Sequence, residues 1–464
     1  MRLDRLFAEI DLQFDCASEI DVLGLTLDSR KVTDGALFVA IEGSVGHGMD
    51  YVDAAILAGA SAVIYDDWDG EIPKIIPALH IPGLMHKVGH IAHAFYGNPC
   101  SAMQIIGVTG TNGKTTTVHL IAQLAEHLGI KAARIGTLGV SVGADKLIES
   151  DRTTPDAITL ASMFAELRSR DVNFVAMEVS SHALDQGRVD GIPFTVGVIT
   201  NLTRDHLDYH QTMEAYGAAK ARLFHDFALR AAIFNIDDSF CRKLSETTSQ
   251  FNVVNYGSDA DHVDIQLIRP TDSGSNIRVS IHSVAYDLQT SLLGAFNASN
   301  VMAAFAAISA LFPDDVDRLL AAIPKLQAAP GRMEWFRAPE FATVVVDYAH
   351  TPDALENAIK TCKAHCVGEV WSVFGCGGDR DVGKRPLMGQ VASELSDHIV
   401  LTSDNPRSES PQHILNDIRA GMTKPPILEE LDRAAAIRFA VEHASADDWV
   451  LLAGKGHENT QTIG

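Results

Sequence analysis

The segment that most restricts the fold of this 464-residue chain is a glycine-rich loop between an apolar run and a helix-like segment. Residues 103–108 have the pattern of a buried strand, and the letters TGTNGKT follow directly. Apolar residues then recur at helical spacing, at Val118, Ile121, Leu124, Ala125 and Leu128. A strand, a glycine-rich loop and a helix in this order predict the opening unit of a doubly wound α/β sheet.

The loop itself has the composition of a phosphate-binding P-loop. Its residues are Gly110, Thr111, Asn112, Gly113, Lys114, Thr115 and Thr116. We expect the backbone N–H groups and the helix N-terminus to surround a polyphosphate, Lys114 to reach the β and γ oxygens, and Thr115 to hold Mg²⁺. The strict pattern places glycine at position 108, where this chain has Val108. The alternative is a turn without a ligand, which would not require lysine and threonine directly after the second glycine.

Further apolar runs predict three α/β domains with mainly parallel sheets. Residues 36–41 and 62–66 flank a helix-like segment in the first domain. The remaining strand candidates lie at 174–179, 195–200, 231–235, 343–347, 370–375, 398–403 and 449–454, with a break near Ala328. We therefore predict domains at 1–88, 89–328 and 329–464.

Composition and charge exclude several classes of protein. A formal net charge of −23 argues against a nucleic-acid partner, because phosphate binding needs clustered lysine and arginine. Apolar runs are shorter than the roughly 18 residues of a membrane span, and the N-terminus lacks the continuous apolar core of a signal peptide. Six scattered cysteines fit neither a disulfide framework nor paired zinc motifs. We expect a cytoplasmic protein without membrane insertion.

Chemistry-bearing side chains follow two of the central strand candidates. Glu178 ends one run and His206 lies shortly after the next. Ligands of parallel sheets bind at the carboxyl ends of strands, so both side chains are candidates for the Mg²⁺ of a nucleotide. Taken alone, Glu178 is also typical of a capping or solvated acid, and His206 of a structural histidine. Lys220 lies on a predicted helix, where spacing alone indicates a surface lysine.

A loop in the third predicted domain carries both an acidic and a basic side chain. Asp404, Asn405, Pro406 and Arg407 follow the apolar run 398–402 and should lie at the carboxyl end of a strand. Arginine supplies a fork suited to a carboxylate, and Asp404 can receive an ammonium group. The alternative is a tight turn that begins at Asn-Pro with a solvated arginine, although a turn and a pocket are compatible.

Eleven motifs in a fixed order give the chain a family resemblance. They are LDSRKVTDGALFVAIEG, GTNGKT, MEVSSHAL, TNLTRDHLDYH, the AAK of a predicted helix, GAFNASN, PGRMEWF, VVVDYAHTPDAL, FGCGGDRDVGKRP, SDNPRSE and AGKGHE. Over essentially its whole length the chain resembles the Mur ligases, and within them the members that add the third peptide residue. The resemblance implies a UDP-muramoyl substrate-binding domain, a central ATPase domain and a Rossmann-like domain that binds an amino acid.

The resemblance also implies the reaction. Such an enzyme adds meso-diaminopimelate to the D-Glu of UDP-N-acetylmuramoyl-L-Ala-D-Glu through an acyl phosphate, with ATP as co-substrate and two Mg²⁺ ions, and acts as a monomer in peptidoglycan precursor synthesis. Two alternatives remain open at this point. One is a related ligase of the same chemistry, against which the SDNPRSE stretch and the first domain argue, and the other is a non-catalytic nucleotide switch.

Family roles carry over residue by residue. The UDP-muramoyl substrate would contact Leu27, Ser29, Ser44, Val45, Gly46, Thr153, Thr154, Ser180, Gln186 and Arg188. The nucleotide would also contact Asn297, Asn300, Arg332 and Asp347. Metal ligands would be Thr115, Glu178, His206 and a carbamylated Lys220, and the catalytic residues would be Lys114, Lys220, Arg332 and His206. The amino acid would contact Arg380, Asp404, Asn405, Pro406, Arg407, Gly454 and Glu458.

Overall fold

The structure is a computed structural model that describes residues 1–10, 20–43, 46–149 and 152–463. It divides into two compact units, the first made of residues 1–118 and 128–254 and the second of residues 119–127 and 255–464. Among the residues described, none of the helices combines the length and the apolar character needed to cross a membrane.

The first unit begins with a parallel sheet in the order β1-β2-β3-β4. Its strands are β1 (Gly24–Thr26), β2 (Ala36–Ala40), β3 (Ala62–Tyr65) and β4 (Ala78–His80). The helices of this part are α1 (Leu3–Ala8), α2 (Val52–Leu57) and α3 (Val88–Phe95). Every residue of β2 and β3 is buried, as expected for parallel strands that are covered on both faces. Both predicted strands of this domain are confirmed.

The second sheet of the first unit carries the P-loop and has the order β11-β10-β5-β9-β6-β7-β8. Its strands are β5 (Gln104–Thr109), β6 (Ala132–Gly136), β7 (Gly139–Val142), β8 (Asp145–Ile148), β9 (Phe174–Glu178), β10 (Val196–Ile199) and β11 (Ala231–Asn235). The helices are α4 (Lys114–His127), whose residues 119–127 are counted in the second unit, α5 (Ala157–Ser169), α6 (Ser181–Asp185), α7 (Leu207–His210), α8 (Met213–His225) and α9 (Ser239–Thr247). Strands β5, β6, β9, β10 and β11 are parallel, so the residues that follow β5, β9 and β10 collect at one edge.

The second unit contains an antiparallel ribbon and a mainly parallel sheet. The ribbon strands are β13 (Val263–Thr271), β14 (Gly274–Ile281) and β15 (Val284–Thr290), and β12 (Asn252–Gly257) pairs with β13 in parallel. Helices α10 (Ala295–Ser309) and α11 (Val316–Ala322) follow. The sheet has the order β16-β17-β21-β18-β19-β20, from β16 (Glu334–Phe336), β17 (Thr343–Asp347), β18 (Val370–Phe374), β19 (His398–Thr402), β20 (Leu428–Glu430) and β21 (Trp449–Ala453). Its helices are α12 (Pro352–His365), α13 (Lys384–Leu395), α14 (Pro411–Ala420) and α15 (Arg433–His443).

The predicted α/β architecture with mainly parallel sheets is confirmed, but the antiparallel segments add to it. Strands β7 and β8 extend the P-loop sheet antiparallel to β6, and β13–β15 form antiparallel pairs. These strands have half-exposed faces, for example in β15, so they lack the continuous apolar run that marked the parallel strands.

Candidate active site

The P-loop lies directly after β5 and ends where α4 begins. Gly110 has φ of 139°, and a Cβ there would lie 1.9 Å from Thr200 Oγ1, so only glycine fits. The hydroxyl of Thr200 donates to Asn112 O at 2.6 Å, which ties the loop to the end of β10. Val108 is fully buried within β5. The departure from the strict P-loop pattern therefore falls in the strand and leaves the loop unchanged.

Two lysines converge on the first carbonyl group of this loop. Lys114 Nζ donates to Gly110 O and Thr111 O, both at 2.8 Å, and Lys220 Nζ donates to Gly110 O at 2.8 Å. Lys220 is only 1% exposed, although it lies on helix α8. The surface-lysine alternative is therefore wrong. Burial lowers the pKa of Lys220 well below its usual value, and the nearby charge of Lys114 lowers it further.

Glu178 ends strand β9 beside the P-loop strand, where it pairs in register with Val108. It is 2% exposed and accepts hydrogen bonds from Thr137, at 2.8 Å from the backbone nitrogen and 3.3 Å from the hydroxyl. Its carboxylate is therefore held by neighbours rather than solvated. The solvated-acid alternative is wrong.

His206 follows β10 and has a left-handed backbone with φ of 51°. Its ring centroid lies 4.9 Å from that of His182, which in turn lies 5.3 Å from that of His210. Burial lowers the pKa of His206, while Asp205 opposes the shift. Burial and the two neighbouring histidines lower the pKa of His182 to about 4. Neutral imidazoles are the form that binds metals.

Five of the predicted substrate residues belong to the part of this unit that carries the P-loop sheet, and four of them are linked by hydrogen bonds. Arg188 Nε donates to Gln186 Oε1 at 3.0 Å and Arg188 Nη1 to Thr154 O at 3.0 Å. The hydroxyl of Thr154 accepts from the backbone nitrogen of Ser180 at 3.1 Å, and Ser180 Oγ caps helix α6. Burial lowers the pKa of Arg188. Thr153 bonds instead to Thr137, at 3.1 Å between the two hydroxyls.

The predicted UDP-binding residues of the first domain are only partly visible. Leu27 and Ser29 are half-buried beside β1, and Asp28 caps the turn that begins at Ser29. Gly46 O accepts a hydrogen bond from Gly43 N at 3.0 Å. Ser44 and Val45 lie outside the described residues.

In the second unit, the predicted nucleotide residues form two local groups. Asn297 and Asn300 are buried in the first turns of α10, where Asn300 Nδ2 donates to Asn297 Oδ1 at 3.2 Å. Arg332 lies over the ring of Tyr348 at 4.5 Å. Asp347 accepts from two backbone nitrogens at 2.8 Å, and burial raises its pKa while Arg332 opposes the rise. Among the described residues, the buried Nε of Arg332 has no hydrogen-bond partner.

The predicted amino-acid residues converge after strands β19 and β21. Asp404 is 7% exposed, and Gly454 has φ of 111° with room for no side chain, because a Cβ would lie 2.6 Å from Asp404 Oδ2. Asn405 Nδ2 donates to Glu458 Oε2 at 3.0 Å. Burial alone would raise the pKa of Glu458, but hydrogen bonds from Lys455 and Asn405 lower it.

Arg407 is held by the neighbouring loop rather than extended into solvent. Its Nη1 donates to Gly378 O at 2.6 Å, and Pro406 O accepts from Glu409 N at 3.0 Å to close the turn. The bond to Gly378 O is the only hydrogen bond of the Arg407 guanidinium within the part of the chain that is described. The backbone of Arg407 is left-handed, with φ of 52°. Arg380 lies exposed on the same loop. The solvated-tip alternative is therefore wrong, while the turn itself is present.

Sequence reasoning missed several residues that hold these loops. Arg385 is 1% exposed and makes a bidentate pair with Glu409, at 2.8 and 2.9 Å, and a 2.9 Å bond to Asp417. Lys455 Nζ donates to Asn405 Oδ1 at 2.9 Å. Thr137 joins Glu178 to Thr153. For Arg385 the only signal was its position in the GKRP letters after the predicted loop.

A glycine-rich loop between β5 and α4, with lysines and a carboxylate at the same sheet edge, defines an α/β protein with a P-loop. Family models match in succession: the Mur ligase family catalytic domain over 21–95, the Mur ligase middle domain over 108–308 and the Mur ligase, glutamate ligase domain over 331–456. The chain belongs to the Mur ligase family.

Curated relatives match nearly the full length. The UDP-N-acetylmuramoyl-L-alanyl-D-glutamate--2,6-diaminopimelate ligase of Coxiella burnetii is 42% identical over 456 residues, which cover 96% of this chain and 93% of that protein. The ligase of the same name from Alkalilimnicola ehrlichii is 44% identical over 467 residues, with 97% and 92% covered.

Solved structures agree with this assignment. A structure of UDP-N-acetylmuramoyl-L-alanyl-D-glutamate--2,6-diaminopimelate ligase has a TM-score of 0.74 at 36% identity and covers 100% of this chain and 95% of its own. The MurF ligase of Thermotoga maritima in complex with ADP has a TM-score of 0.65 at 17% identity, with 94% of each chain covered, and supports the fold alone. The three-domain Mur ligase fold expected from the sequence is thus confirmed.

Proposed function

We propose that this chain is an ATP-dependent ligase that adds meso-diaminopimelate to the D-Glu of UDP-N-acetylmuramoyl-L-Ala-D-Glu in peptidoglycan precursor synthesis. The observation that carries this proposal is the similarity, above 40% identity over more than 95% of the chain, to curated relatives that are named for that reaction. We also propose domain boundaries at 1–88, 89–328 and 329–464, a monomer, and action in the cytoplasm, where ATP is available.

The reaction begins with phosphoryl transfer. A carboxylate is a poor electrophile, so the D-Glu carboxylate attacks the γ-phosphorus of ATP, a new carboxyl-oxygen–phosphorus bond forms, and ADP leaves. Lys114 would offset the negative charge that spreads over the γ-phosphate oxygens, and the P-loop N–H groups would hold the β-phosphate. For the second unit we propose that Asn297, Asn300, Arg332 and Asp347 contact the nucleotide. The buried Nε of Arg332 fits such a role, because it has no hydrogen-bond partner within the described ranges of the chain.

The second half-reaction forms the amide. The amine of meso-diaminopimelate attacks the acyl carbon, phosphate leaves, and the amine loses a proton. Asp404 would receive the ammonium end of the amino acid and Arg407 the carboxylate, because a guanidinium fork matches a carboxylate bidentately. Glu458 and Asn405, which bond to each other, would complete the pocket with Arg380 and Gly454.

The first unit contains a donor set that fits Mg²⁺. Magnesium prefers oxygen ligands and needs only one or two from protein when it binds nucleotide phosphates. Thr115, Glu178, His206 and a carbamylated Lys220 would hold two Mg²⁺ ions between them, and these ions would offset charge on the transferred phosphoryl group. No group of three or more His, Cys, Asp or Glu suited to a metal occurs among the described residues, so the set depends on Thr115 and Lys220. A depressed lysine pKa supports carbamylation, because only the neutral amine reacts with CO₂.

Phosphate release tests this function. The wild-type protein should release phosphate from ATP only when both UDP-N-acetylmuramoyl-L-Ala-D-Glu and meso-diaminopimelate are present. Lys114→Ala should lower that rate by about 100-fold or more, whereas Lys131→Ala, which changes an exposed lysine of the same unit, should not. Release that is independent of the two acceptors, or that requires D-alanyl-D-alanine, would overturn the proposal.

A further inference from the structure

Thr137 follows strand β6 at the point where β6 and β9 run side by side, with Ile135 paired to Met177. It meets both carboxylate oxygens of Glu178: its backbone N–H donates to Oε1 at 2.8 Å and its hydroxyl to Oε2 at 3.3 Å. One residue thus fixes the carboxylate at both oxygens.

The residue before Thr137 makes this contact possible. A Cβ at Gly136 would lie 2.2 Å from Glu178 Oε1, so the carboxylate occupies the space that a side chain would take. Glu178 is 2% exposed, so water does not compete for these hydrogen bonds.

The hydroxyl of Thr137 also lies 3.1 Å from Thr153 Oγ1, and the chemistry of the three groups sets the direction of this bond. A metal-binding Glu178 is an ionised carboxylate and only accepts. The single hydroxyl hydrogen of Thr137 is then donated to Glu178, so Thr137 must accept from Thr153. Thr153 has donated its own hydrogen and can only accept from a ligand.

A second link joins the same two places through the backbone. Thr154 Oγ1 donates to Glu178 O at 2.9 Å, and Arg188 Nη1 donates to Thr154 O at 3.0 Å. Residues 153 and 154 are thus attached to Glu178 through both its side chain and its main chain. A displacement of the Thr137 side chain would therefore displace both Glu178, the candidate metal ligand, and the candidate substrate residues Thr153 and Thr154.

We propose that Thr137 is a positioning residue that couples the Mg²⁺ ligand Glu178 to the substrate residue Thr153, and that Thr153 accepts a hydrogen bond from an N–H or O–H group of the UDP-muramoyl dipeptide. This inference rests on the proposed function and names one contact within it. Thr153 would disfavour a ligand that places a carboxylate or phosphate oxygen next to its hydroxyl oxygen. Both oxygens would then be hydrogen-bond acceptors, with no hydrogen between them.

Direct binding measurements separate the effect of each variant on metal affinity from its effect on dipeptide affinity. Thr137→Val removes the hydroxyl but keeps the backbone N–H and the shape, and Thr137→Ser keeps the hydroxyl. Thr153→Val removes the hydroxyl that meets both Thr137 and the substrate, but leaves the two hydrogen bonds from Thr137 to Glu178 in place. The affinity of Mn²⁺ is measured by electron paramagnetic resonance with a non-hydrolysable ATP analogue. The affinity of UDP-N-acetylmuramoyl-L-Ala-D-Glu is measured by calorimetry without nucleotide.

Thr137→Val should weaken both affinities by about 3- to 10-fold, which corresponds to one lost hydrogen bond. Thr137→Ser should stay within about 2-fold of wild type, and Thr153→Val should weaken the dipeptide alone. The effects of Thr137→Val and Thr153→Val on dipeptide binding should not add in the double variant, because the two hydroxyls form one chain. Thr137→Ala replaces the valine variant if the latter does not fold.

Unchanged Mn²⁺ and dipeptide affinities in folded Thr137→Val and Thr137→Ala would overturn the inference, as would full additivity in the double variant. Failure of the proposed function has a different signature, since the wild-type protein would then not bind the UDP-muramoyl dipeptide at all.

Discussion

Lys220 Nζ donates a hydrogen bond of 2.8 Å to Gly110 O, so a helix lysine and the first P-loop residue are in direct contact across 110 positions of sequence. Lys220 also lies 4.5 Å from the ring centroid of Tyr216, and both residues are buried. Among the residues that the structure describes, no carboxylate lies within hydrogen-bond distance of Lys220 Nζ, whose hydrogen bond goes to Gly110 O. A buried lysine in such surroundings is costly as a cation. The neutral amine, or an anionic carbamate beside Mg²⁺, removes that cost.

Carbamylation of Lys220 gives the first prediction. Protein incubated with ¹³C-bicarbonate should show one carbamate carbon resonance in its NMR spectrum, and Lys220→Ala should lose it. The same variant should lower turnover by about 100-fold and raise the Mg²⁺ requirement, because an anionic metal ligand is removed. Lys243→Ala, which changes an exposed lysine of α9, is the control. Full activity of Lys220→Ala without a carbamate signal in the wild type would contradict this role.

Arg407 gives the second prediction, on amino-acid selection. Arg407→Ala should lower kcat/KM for meso-diaminopimelate by an amount equivalent to about 2–5 kcal/mol, because a bound carboxylate loses its charged partner. Arg407→Lys should recover only part of the loss, since lysine lacks the planar fork. The KM for ATP should not change. Arg419→Ala, an exposed arginine on α14, should behave as wild type. Retained preference for meso-diaminopimelate over L-lysine in Arg407→Ala would show that selection lies elsewhere.

Arg385 gives the third prediction, on the position of the loop that contains Arg407 and Glu409. Its guanidinium ties Glu409 and Asp417 together, and Glu409 also accepts from the backbone nitrogen of Asp379 at 2.5 Å. Arg385→Met should raise the KM for meso-diaminopimelate by about 10- to 100-fold, because a loop displaced by an ångström misplaces its ligand. The KM of Arg385→Lys for meso-diaminopimelate should lie between those of the wild type and of Arg385→Met. The KM for ATP should stay constant in both variants. Equal changes in both KM values would indicate general destabilisation instead.

His93 gives the fourth prediction, on stability against pH. It is 4% exposed on α3, its ring centroid lies 6.0 Å from that of Phe164, and burial lowers its pKa to about 4. Because the unfolded chain binds this proton near pH 6.5 and the folded chain does not, the free energy of unfolding should fall as pH drops from about 6.5 toward 4.

The contribution of His93 to that fall should be at most about 3 kcal/mol. Urea unfolding at pH 7 and pH 4.5 measures it, and His93→Gln, which cannot titrate, should show a smaller difference between the two pH values. If the free energy of unfolding depended on pH identically in the wild type and in His93→Gln, the fall in stability would not come from His93.

The sequence predicted the strands and the P-loop well because their signals are local. Strands β5, β9 and β10 are nearly continuous apolar runs, and the loop letters follow one of them. Strand β15 alternates exposed and half-buried residues and gave no such signal. The burial of Lys220 was also invisible, because it depends on Gly110, far away in sequence.

Positioning residues were the hardest to predict for the same physical reason. Thr137 reaches Glu178 across 41 positions, and Arg385 reaches Asp417 across 32. Threonine after a strand and arginine at the start of a helix are ordinary by composition. Only the folded arrangement reveals which carboxylate each one holds. The family roles of Asp404 and Arg407 stay predictions, although the structure brings both to the carboxyl end of β19.

Mass spectrometry of the product tests the central claim most directly. The protein is given ATP, Mg²⁺, UDP-N-acetylmuramoyl-L-Ala-D-Glu and an equimolar mixture of meso-diaminopimelate and L-lysine. We predict one product whose mass equals the UDP-muramoyl dipeptide plus meso-diaminopimelate less one water, formed together with ADP and phosphate. A lysine-containing product in excess, or ATP hydrolysis without any extended peptide, would contradict the account.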